Sequence, residues 1–482
     1  MENATDAIAA APVPEFEATA YAEFSGIIDH LWLMIAAFLV FLMQAGFAML
    51  ETGTVRQKNA KNIMIKNVMD LVVGAFVWWG FGFPFAYGGG DYSGGPANGF
   101  IGAQGFFFIN GYDSCEGGHP SECLYPIAPS IDSFAGWLFQ WAFAATATTI
   151  VSGAVAERCS FIGYLVYATF ITGFIYPVVV HWIWSPYGWL TAFRDPSIAS
   201  GAWVSPGVVD FAGSSVVHMV GGCTALVAAA ILGPRIGRFD ANGNMKAFAP
   251  HNAAFVGLGT LILWFGWYGF NPGSTLALSG GFVLLAEKVA VGTTLAASGG
   301  GFAAILMCFI KYRHLDLPPL CNGILAGLVA VCSGVAVSEP WACFVIGLIG
   351  GLFEFWFAIA IQKMKIDDPL DAAAVHFGGG FIGMLCGGLF GSRINTTAAY
   401  SEDQPCGAFF GCGGSQFAVN LLAAVMVMIW SMGMGTIVFG AMRLAGILRI
   451  SPEEESMGLD VSHHGGAAYD DGKNHDSSGF EK

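Results

Sequence analysis

The chain has 482 residues, of which 55% are hydrophobic and 11% charged, and its formal net charge is −15 at pH 7. Together with a mean hydropathy of +0.62, this composition exceeds what the core of a soluble domain of this size needs. It excludes a soluble globular class. We therefore expect an all-α integral membrane protein, with no cofactor and no nucleic-acid partner.

Eleven apolar runs are long enough to cross a bilayer, since a spanning helix takes about 20 apolar residues. In chain order they are 27–50, 64–88, 133–156, 160–184, 210–232, 252–272, 284–310, 321–338, 341–362, 371–392 and 416–447. The 67 glycines suit closely packed membrane helices. We predict an extracellular N-terminal tail at 1–26, an eleven-helix domain at 27–447 and a cytoplasmic tail at 448–482.

The lysines and arginines predict the orientation of these helices. With the N-terminus outside, sixteen of them fall in the inner loops and the C-terminal tail, and only Arg194, Lys288 and Arg393 fall outside. Membrane proteins concentrate such cations on the cytoplasmic side. The N-terminus is therefore expected outside and the C-terminus inside.

The predicted outer face is acidic and carries paired cysteines. The loop 89–132 has five carboxylates and no lysine or arginine, so it would concentrate cations; simple solubility is an equally good explanation. Cys115 and Cys123 share this loop, and Cys406 and Cys412 share another. Two disulfides on the oxidising face fit this pattern, with the pairing left open.

Two histidines lie inside long apolar runs, each a few residues after an aspartate. Asp210 precedes His218 in the fifth run, and Asp371 precedes His376 in the tenth. At 1.5 Å per helical residue, both histidines lie near the middle of the bilayer. These runs close two five-helix halves, and inverted halves commonly place a transport site at the midplane. Because a buried ionisable group is costly, two at matched depth indicate a pathway rather than two structural hydrogen bonds.

Six motifs in order resemble the ammonium transporter/methylammonium permease/Rhesus family, in its plant and algal branch. They are Met43–Glu51, Tyr176–Pro177 with His181–Trp184, Asp210–His218, Gly233–Asp240, Gly266–Ser274, and Asp367–Asp371 leading to His376. The resemblance covers residues 27–470. It implies eleven spans, a homotrimer with one pore in each subunit, and a non-enzymatic function in the plasma membrane, surrounded by lipid.

The resemblance also implies an outer site for the ammonium cation. Trp184 offers a ring face for cation–π attraction, and Ser274 offers a hydroxyl acceptor. Asp210 resembles the family's essential carboxylate, whose field favours a cation; capping the fifth helix is an equally good role. Phe143 matches a residue that lines this site and also belongs to the gate below it.

The same resemblance implies an aromatic gate and a histidine-lined pore. Phe143 and Phe270 match the stacked pair that closes the outer end of the pore, and Trp267 lies on the same stretch as Phe270. A dry aromatic gate makes a bare ion costly while neutral ammonia passes. Below it, His218 and His376 would bind ammonia and relay the proton of ammonium. Methylammonium is the expected substrate analogue.

Two further features concern the inner side. The run 449–466 resembles the family's regulatory C-terminus, with Ser462 where relatives have a phosphorylatable threonine. A kinase acting there would add nearly two negative charges and break docking of the tail; an incidental serine in a disordered tail is the alternative. Phe377 stands where the family usually has a small residue, so its ring must point away from the histidines.

Three classes of function remain. Net uptake of ammonium with proton or charge movement is the first, and a neutral gas channel of the Rhesus type is its closest rival. A sensor or transceptor is disfavoured by the short tail. An intramembrane enzyme lacks a nucleophile or metal-ligand spacing beside the histidines.

Overall fold

A computed structural model describes residues 15–89, 98–108, 134–193 and 204–469. Within these ranges the protein is helical, and its β-structure is limited to isolated bridges. The predicted disulfide residues Cys115 and Cys123, the five carboxylates of the loop 89–132, Arg194 and the end of the tail at 470–482 lie outside the described residues.

Seven α-helices make up the first half of the membrane region. They are α1 (Glu15–Thr54), α2 (Ala60–Val77), α3 (Phe83–Tyr87), α4 (Phe134–Val155), α5 (Phe161–Phe170), α6 (Tyr176–Ile183) and α7 (Val220–Leu232). Three π-helical turns continue this helical course, namely Trp78–Gly82 between α2 and α3, Ile171–Ile175 between α5 and α6, and Ser214–Met219 before α7.

The second half contains seven more helices and ends in a short helical tail. They are α8 (Ala253–Phe270), α9 (Phe282–Tyr312), α10 (Leu317–Val331), α11 (Pro340–Lys363), α12 (Gly379–Phe390), α13 (Arg393–Ala399) and α14 (Ser415–Leu444). A π-helical turn, Ala373–Gly378, leads into α12. The tail forms α15 (Pro452–Met457) and α16 (Leu459–His464).

In the described part of the chain, ten helical segments are long and apolar enough to cross a membrane. The eighth predicted run, 321–338, is helical only as α10, whose 15 residues span about 22 Å. The chain leaves the helix at Cys332, because the backbone carbonyls of Cys332 and Ser333 accept hydrogen bonds from another segment instead of from the next helical turn. Ser333 accepts a hydrogen bond from the Phe211 amide, and Cys332 accepts one from the Ala212 amide, each at 3.0 Å. The early end of α10 thus fixes the segment that precedes His218.

Helices α1 and α8 pack closely through glycines. A Cβ atom on Gly259 would lie 2.5 Å from the Leu50 amide nitrogen, and one on Gly46 would lie 2.8 Å from Cγ of Leu263. Small residues permit such approach between membrane helices. Helix α1 begins at Glu15, so its first turns occupy part of the predicted N-terminal tail.

The cysteines of the described residues form two groups, one disulfide pair and seven free thiols. Cys406 and Cys412 form a disulfide, which settles one of the two expected pairs. Seven others are buried and free; they are Cys159, Cys223, Cys308, Cys321, Cys332, Cys343 and Cys386.

Candidate functional site

His218 lies on a π-helical turn that a carboxylate caps. The chain turns at Gly213, whose φ is +100°. Oδ2 of Asp210 then accepts the amide hydrogens of Ser215 at 2.9 Å and Val216 at 3.0 Å, and the Ser215 hydroxyl at 2.6 Å. These bonds satisfy donors that an uncapped helix start leaves unpaired. Capping is therefore an observed role of Asp210.

His376 lies on the matching turn, Ala373–Gly378. Here the capping carboxylate is Asp368, whose Oδ2 accepts the amide hydrogen of Ala373 at 2.8 Å. Asp368, rather than Asp371, is thus the counterpart of Asp210, and each of the two precedes its histidine by eight residues. π-Helical turns are rare and concentrate at functional sites. Two such turns, each of which carries a histidine, therefore indicate a functional site.

Glycines let the two histidine-bearing segments cross in contact. A Cβ atom on Gly222 would lie 2.7 Å from the carbonyl carbon of His376, and one on Gly380 would lie 2.8 Å from Cγ of Met219. The glycines are 158 positions apart, as are His218 and His376 and the two capping aspartates. The same local arrangement therefore occurs once in each half of the chain.

The two histidine rings are in direct contact. Their Nδ1 atoms lie 3.2 Å apart and their ring planes differ by 18°. Because a neutral imidazole has one donor and one acceptor nitrogen, one ring donates its Nδ1 hydrogen to the other. Nε2 of His218 lies 3.7 Å from Sγ of Cys332, which receives the indole hydrogen of Trp267 at 3.4 Å. The pair can share a proton in otherwise apolar surroundings.

An aromatic stack covers the histidines on one side. The rings of Phe143 and Phe270 lie parallel within 20°, with centroids 4.0 Å apart, and both side chains are fully buried. The Phe270 centroid is 5.4 Å from that of His218, and the Trp267 centroid is 5.6 Å from it. The structure therefore brings together all three residues that the sequence assigns to the gate.

A cavity of about 390 Å³ opens on the far side of this stack. Phe143, Trp184 and Ser274 line it, together with Tyr87 and Gln140, which sequence reasoning did not single out. Its lining is mainly aromatic, as is usual for small-ligand sites that carry a few polar groups.

Asp210 is connected to this cavity through its hydrogen bond with Trp184. The indole nitrogen of Trp184 donates to the Asp210 carbonyl at 2.8 Å, which fixes the ring at the cavity wall. Asp210 is 1% exposed and does not line the cavity. Its Oδ1 has no hydrogen-bond partner among the described residues.

A smaller cavity, of about 20 Å³, lies on the opposite side of the histidines. Its walls are mostly apolar, with Phe47 and Val375 among them, and its polar side chains are Glu51, Asn322 and His376. The site is thus a column, in which two cavities are separated by an aromatic stack and a histidine pair.

Sequence comparison connects this column to known proteins. The profile of the Ammonium Transporter Family matches residues 31–469. The chain is 41% identical over 457 residues to Ammonium transporter 1 member 3 of Solanum lycopersicum, which covers 92% of this chain and 93% of the relative. The chain belongs to the ammonium transporter family. It is also 38% identical to Ammonium transporter Amt2 of Archaeoglobus fulgidus, over 92% of this chain and 88% of that protein.

Solved structures agree with this ammonium transporter assignment. A structure named Sensor Amt Protein superposes with a TM-score of 0.78 at 34% identity, over 92% of this chain and 99% of that one. Mep2 of Saccharomyces cerevisiae gives a TM-score of 0.74 at 27% identity, over 89% and 88%. The predicted family is confirmed, and this member is a multi-pass membrane protein whose relatives are transporters rather than enzymes.

Phe377 of this ammonium transporter family member points away from the column. Its ring packs edge-on against Phe357, with centroids 5.6 Å apart, and against Phe381 at 6.4 Å. It lines neither cavity. The Phe377 ring therefore does not obstruct the contact between His218 and His376.

An ion cluster forms in the loops that follow α1, α4, α7 and α11. Glu157 pairs with Arg235 at 2.6 Å and with Arg56, and Asp367 pairs with Arg235 at 2.8 Å and Arg238 at 3.1 Å. Burial opposes ionisation of both carboxyls, but Arg235 and its neighbours lower the pKa of Glu157 below its usual value and that of Asp367 to about 2. Both carboxyls are therefore ionised at neutral pH.

The C-terminal tail packs against this cluster and against the start of α2. Glu455 accepts the Ile236 amide hydrogen at 2.7 Å and Arg449 at 2.8 Å. The carboxylate of Asp460 accepts the amide hydrogens of Lys61 at 3.0 Å and Asn62 at 2.8 Å, and so caps α2. The described part of the tail is therefore folded and docked.

Ser462 lies on α16 of the docked tail. Its hydroxyl donates to the Gly458 carbonyl at 2.9 Å, and its side chain is partly exposed. It stands two residues after the capping Asp460, which is completely buried. This position places it at the edge of the docked surface.

Sequence reasoning missed several polar groups of the column. Asp368 was identifiable from its spacing of eight residues before His376, and Glu51 from being a carboxylate in an apolar run. Cys332 and Asn322 gave no signal in the sequence. Their places beside His218 and in the inner cavity depend on how α10 packs.

Proposed function

We propose that this chain takes ammonium across the plasma membrane through a twin-histidine pore in each subunit, with net movement of a proton or charge. The observation that carries the proposal is the buried contact of His218 and His376, at 3.2 Å, between an outer and an inner cavity. A proton-sharing pair at the middle of an apolar path suits a substrate that can lose and regain a proton.

Recruitment of the cation takes place in the outer cavity. Trp184 presents a ring face there, and cation–π attraction contributes about 0.5–2 kcal/mol depending on desolvation. The Ser274 hydroxyl donates to the Phe270 carbonyl at 2.7 Å, so its oxygen lone pairs remain to accept a hydrogen bond from ammonium. The unpaired Oδ1 of Asp210 adds a negative field without contact.

Passage requires loss of the proton at the aromatic stack. Phe143 and Phe270 offer no polar group that could replace the hydration of an ion, and an unpaired charge in such surroundings is costly. Neutral ammonia passes between the rings at lower cost, and Trp267 holds Phe270 from below. The histidines bind ammonia and relay the proton removed from ammonium.

The architecture that goes with this function has eleven spans, with α10 and its following turn as the eighth. Two inverted halves of five helices, followed by α14, account for the offset of 158 residues between the paired sites. The N-terminal tail at 1–26 is extracellular, 27–447 forms the transport domain in contact with lipid, and 448–482 is cytoplasmic. The functional unit is a homotrimer.

Regulation acts through Ser462 in the cytoplasmic tail. A kinase that phosphorylates it adds nearly two negative charges within two residues of Asp460, whose carboxylate holds α16 on Lys61 and Asn62. Repulsion between the two groups releases the tail from the start of α2.

Two other functions have a specific observation in their favour. The closed aromatic stack favours a neutral ammonia channel of the Rhesus type, because no hydrated ion passes it. A sensor is favoured by the likeness to the structure named Sensor Amt Protein. The cation site around Trp184 supports uptake over both.

The test is methylammonium uptake with membrane current recorded in parallel, in cells that lack their own ammonium transporters. Saturable uptake with inward current is the expected result. Uptake without current would replace the proposal with neutral ammonia passage. A protein that reaches the surface, binds ammonium and moves none would instead be a sensor.

A further inference from the structure

A carboxyl side chain faces the inner cavity below the histidine pair. Glu51 and His376 both line this cavity, and Asn322 is its third polar side chain. Glu51 lies on α1, three residues before the helix ends at Thr54. It therefore stands between the histidines and the inner end of the column.

Hydrogen bonds hold the Glu51 carboxyl in place without an ion pair. Its oxygens accept the Ser152 hydroxyl and the Asn67 side-chain amide, the latter at 2.9 Å. Two other ionisable groups face it from α2 and have partners of their own. Lys66 donates to the Cys159 carbonyl at 2.7 Å, and Asp70 accepts the Thr149 hydroxyl at 2.8 Å.

The position of Glu51 is unusual for a structural residue. It is 1% exposed, and no salt bridge involves it among the described residues. An ionisable side chain inside a membrane domain is costly and commonly marks a proton or ion route.

The cavity is suited to one water molecule. Its volume of about 20 Å³ exceeds the roughly 10–15 Å³ that one water needs, and a buried water requires two to four polar partners. Glu51, Asn322 and His376 supply three. One water molecule in this cavity can therefore hydrogen-bond to both the imidazole of His376 and the carboxyl of Glu51.

We propose that Glu51 is the proton acceptor and donor at the inner end of the pore, an inference that rests on the function proposed above. Ammonium gives one proton to the histidine pair and continues as ammonia. The proton moves from His376 through the water to the Glu51 carboxylate, which becomes a neutral carboxylic acid. Ammonia that reaches the cavity takes this proton, ammonium leaves, and the carboxylate is restored.

The decisive variant is Glu51→Gln, which keeps the size of the side chain and one acceptor oxygen for Ser152 and Asn67 but cannot accept a proton. Current and methylammonium uptake are measured on the same cells. The ratio of current to uptake should fall roughly tenfold or more, because a positioned acid–base group typically contributes about 10²–10⁴-fold. Uptake itself should fall less, since methylamine that leaves the pore is protonated by solvent.

Two further variants make the result specific. Glu51→Asp keeps a carboxyl and should retain a ratio close to that of the unchanged protein. Asp29→Asn is the matched control, because Asp29 is also a buried carboxyl, 3% exposed, but it accepts the amide hydrogens of Leu278 and Ser279 and does not line the cavity. Its ratio should not change.

A Glu51→Gln protein that reaches the surface and keeps the normal ratio would overturn the inference. Should that variant not reach the surface, Asn322→Leu decides, since it fills the cavity and leaves Glu51 in place. A lowered ratio supports the water-linked route, and an unchanged ratio overturns it. Failure of the unchanged protein to transport methylammonium would instead contradict the proposed function.

Discussion

At the scale of single residues, the column works through a few polar groups set in apolar walls. Each histidine reaches the other through Nδ1, and His218 reaches the Cys332 thiol through Nε2. The sequence identified both histidines from the cost of burying them, and it identified the gate only through family motifs. With 41 phenylalanines in the chain, nothing local distinguishes Phe143 and Phe270 from packing residues.

Replacement of either histidine should disable transport. His218→Ala or His376→Ala removes one half of the proton-sharing contact, and the initial rate of labelled methylammonium uptake should fall about tenfold or more. His251→Ala is the matched control, since His251 contacts the Val55 carbonyl and lines neither cavity. Unchanged uptake in both single variants would rule out the relay.

Replacement of Trp184 should weaken recruitment more than turnover. Trp184→Leu removes a cation–π contact of about 0.5–2 kcal/mol, which raises KM for ammonium roughly 2- to 30-fold. The maximal rate should change less, because the gate and the histidines are untouched. Trp341→Leu, at a side chain that is 58% exposed, serves as the control. An unaltered KM in Trp184→Leu would place recruitment elsewhere.

At the scale of elements, two helix starts and one docked tail position the site. Asp210 and Asp368 cap the two π-helical turns, and Asp460 caps α2 from the tail. The last contact joins residues about 400 positions apart in sequence, so local patterns do not predict it. The residues on which the tail docks are therefore known only from the tertiary structure.

A negative charge at Ser462 should release the tail and lower transport. We expect Ser462→Asp to reduce uptake roughly fivefold or more, at the lower end of typical coupling between sites. Ser462→Ala should transport normally. Ser456→Asp adds the same charge at an exposed serine whose hydroxyl bonds within α15, and it should have little effect. Equal loss in both aspartate variants would indicate a general charge effect.

The ion cluster should keep the tail docked under mildly acidic conditions. Because the pKa of Asp367 is lowered from 3.8 to about 2, its stabilising contribution is complete above about pH 4 and is lost as the pH falls towards 2. Asp367→Asn should increase limited proteolysis of the tail at both neutral and mildly acidic pH. Because His464 accepts a hydrogen bond from Asn62 at 2.7 Å and would lose it on protonation, the effect of pH is measured in His464→Gln. Acid-induced cleavage of His464→Gln would contradict this assignment.

At the scale of the whole molecule, the two cavities lie on opposite sides of the gate and the histidine pair. The pairing of sites at an offset of 158 residues places one histidine from each half at the centre. This arrangement gives each half the same local geometry.

The orientation can be tested with single cysteine substitutions. Ser401→Cys, near the Cys406–Cys412 disulfide, should react with a membrane-impermeant thiol reagent on intact cells. Asn242→Cys, in the loop between α7 and α8, should react only after permeabilisation. The unchanged protein is the control, since its seven free cysteines among the described residues are buried and any labelling of Cys115 or Cys123 appears there as background. The reverse labelling pattern would invert the proposed topology.

The sequence by itself determined the class, the family and the approximate extent of the helices. Hydropathy depends on the transfer of consecutive side chains into lipid, so it can be read locally. Only the tertiary structure decided that α10 ends at Val331, that Asp368 rather than Asp371 is the counterpart of Asp210 in the second half, and that Glu51 shares a cavity with His376. Each of these depends on contacts between distant segments, where packing rather than local composition determines which groups meet.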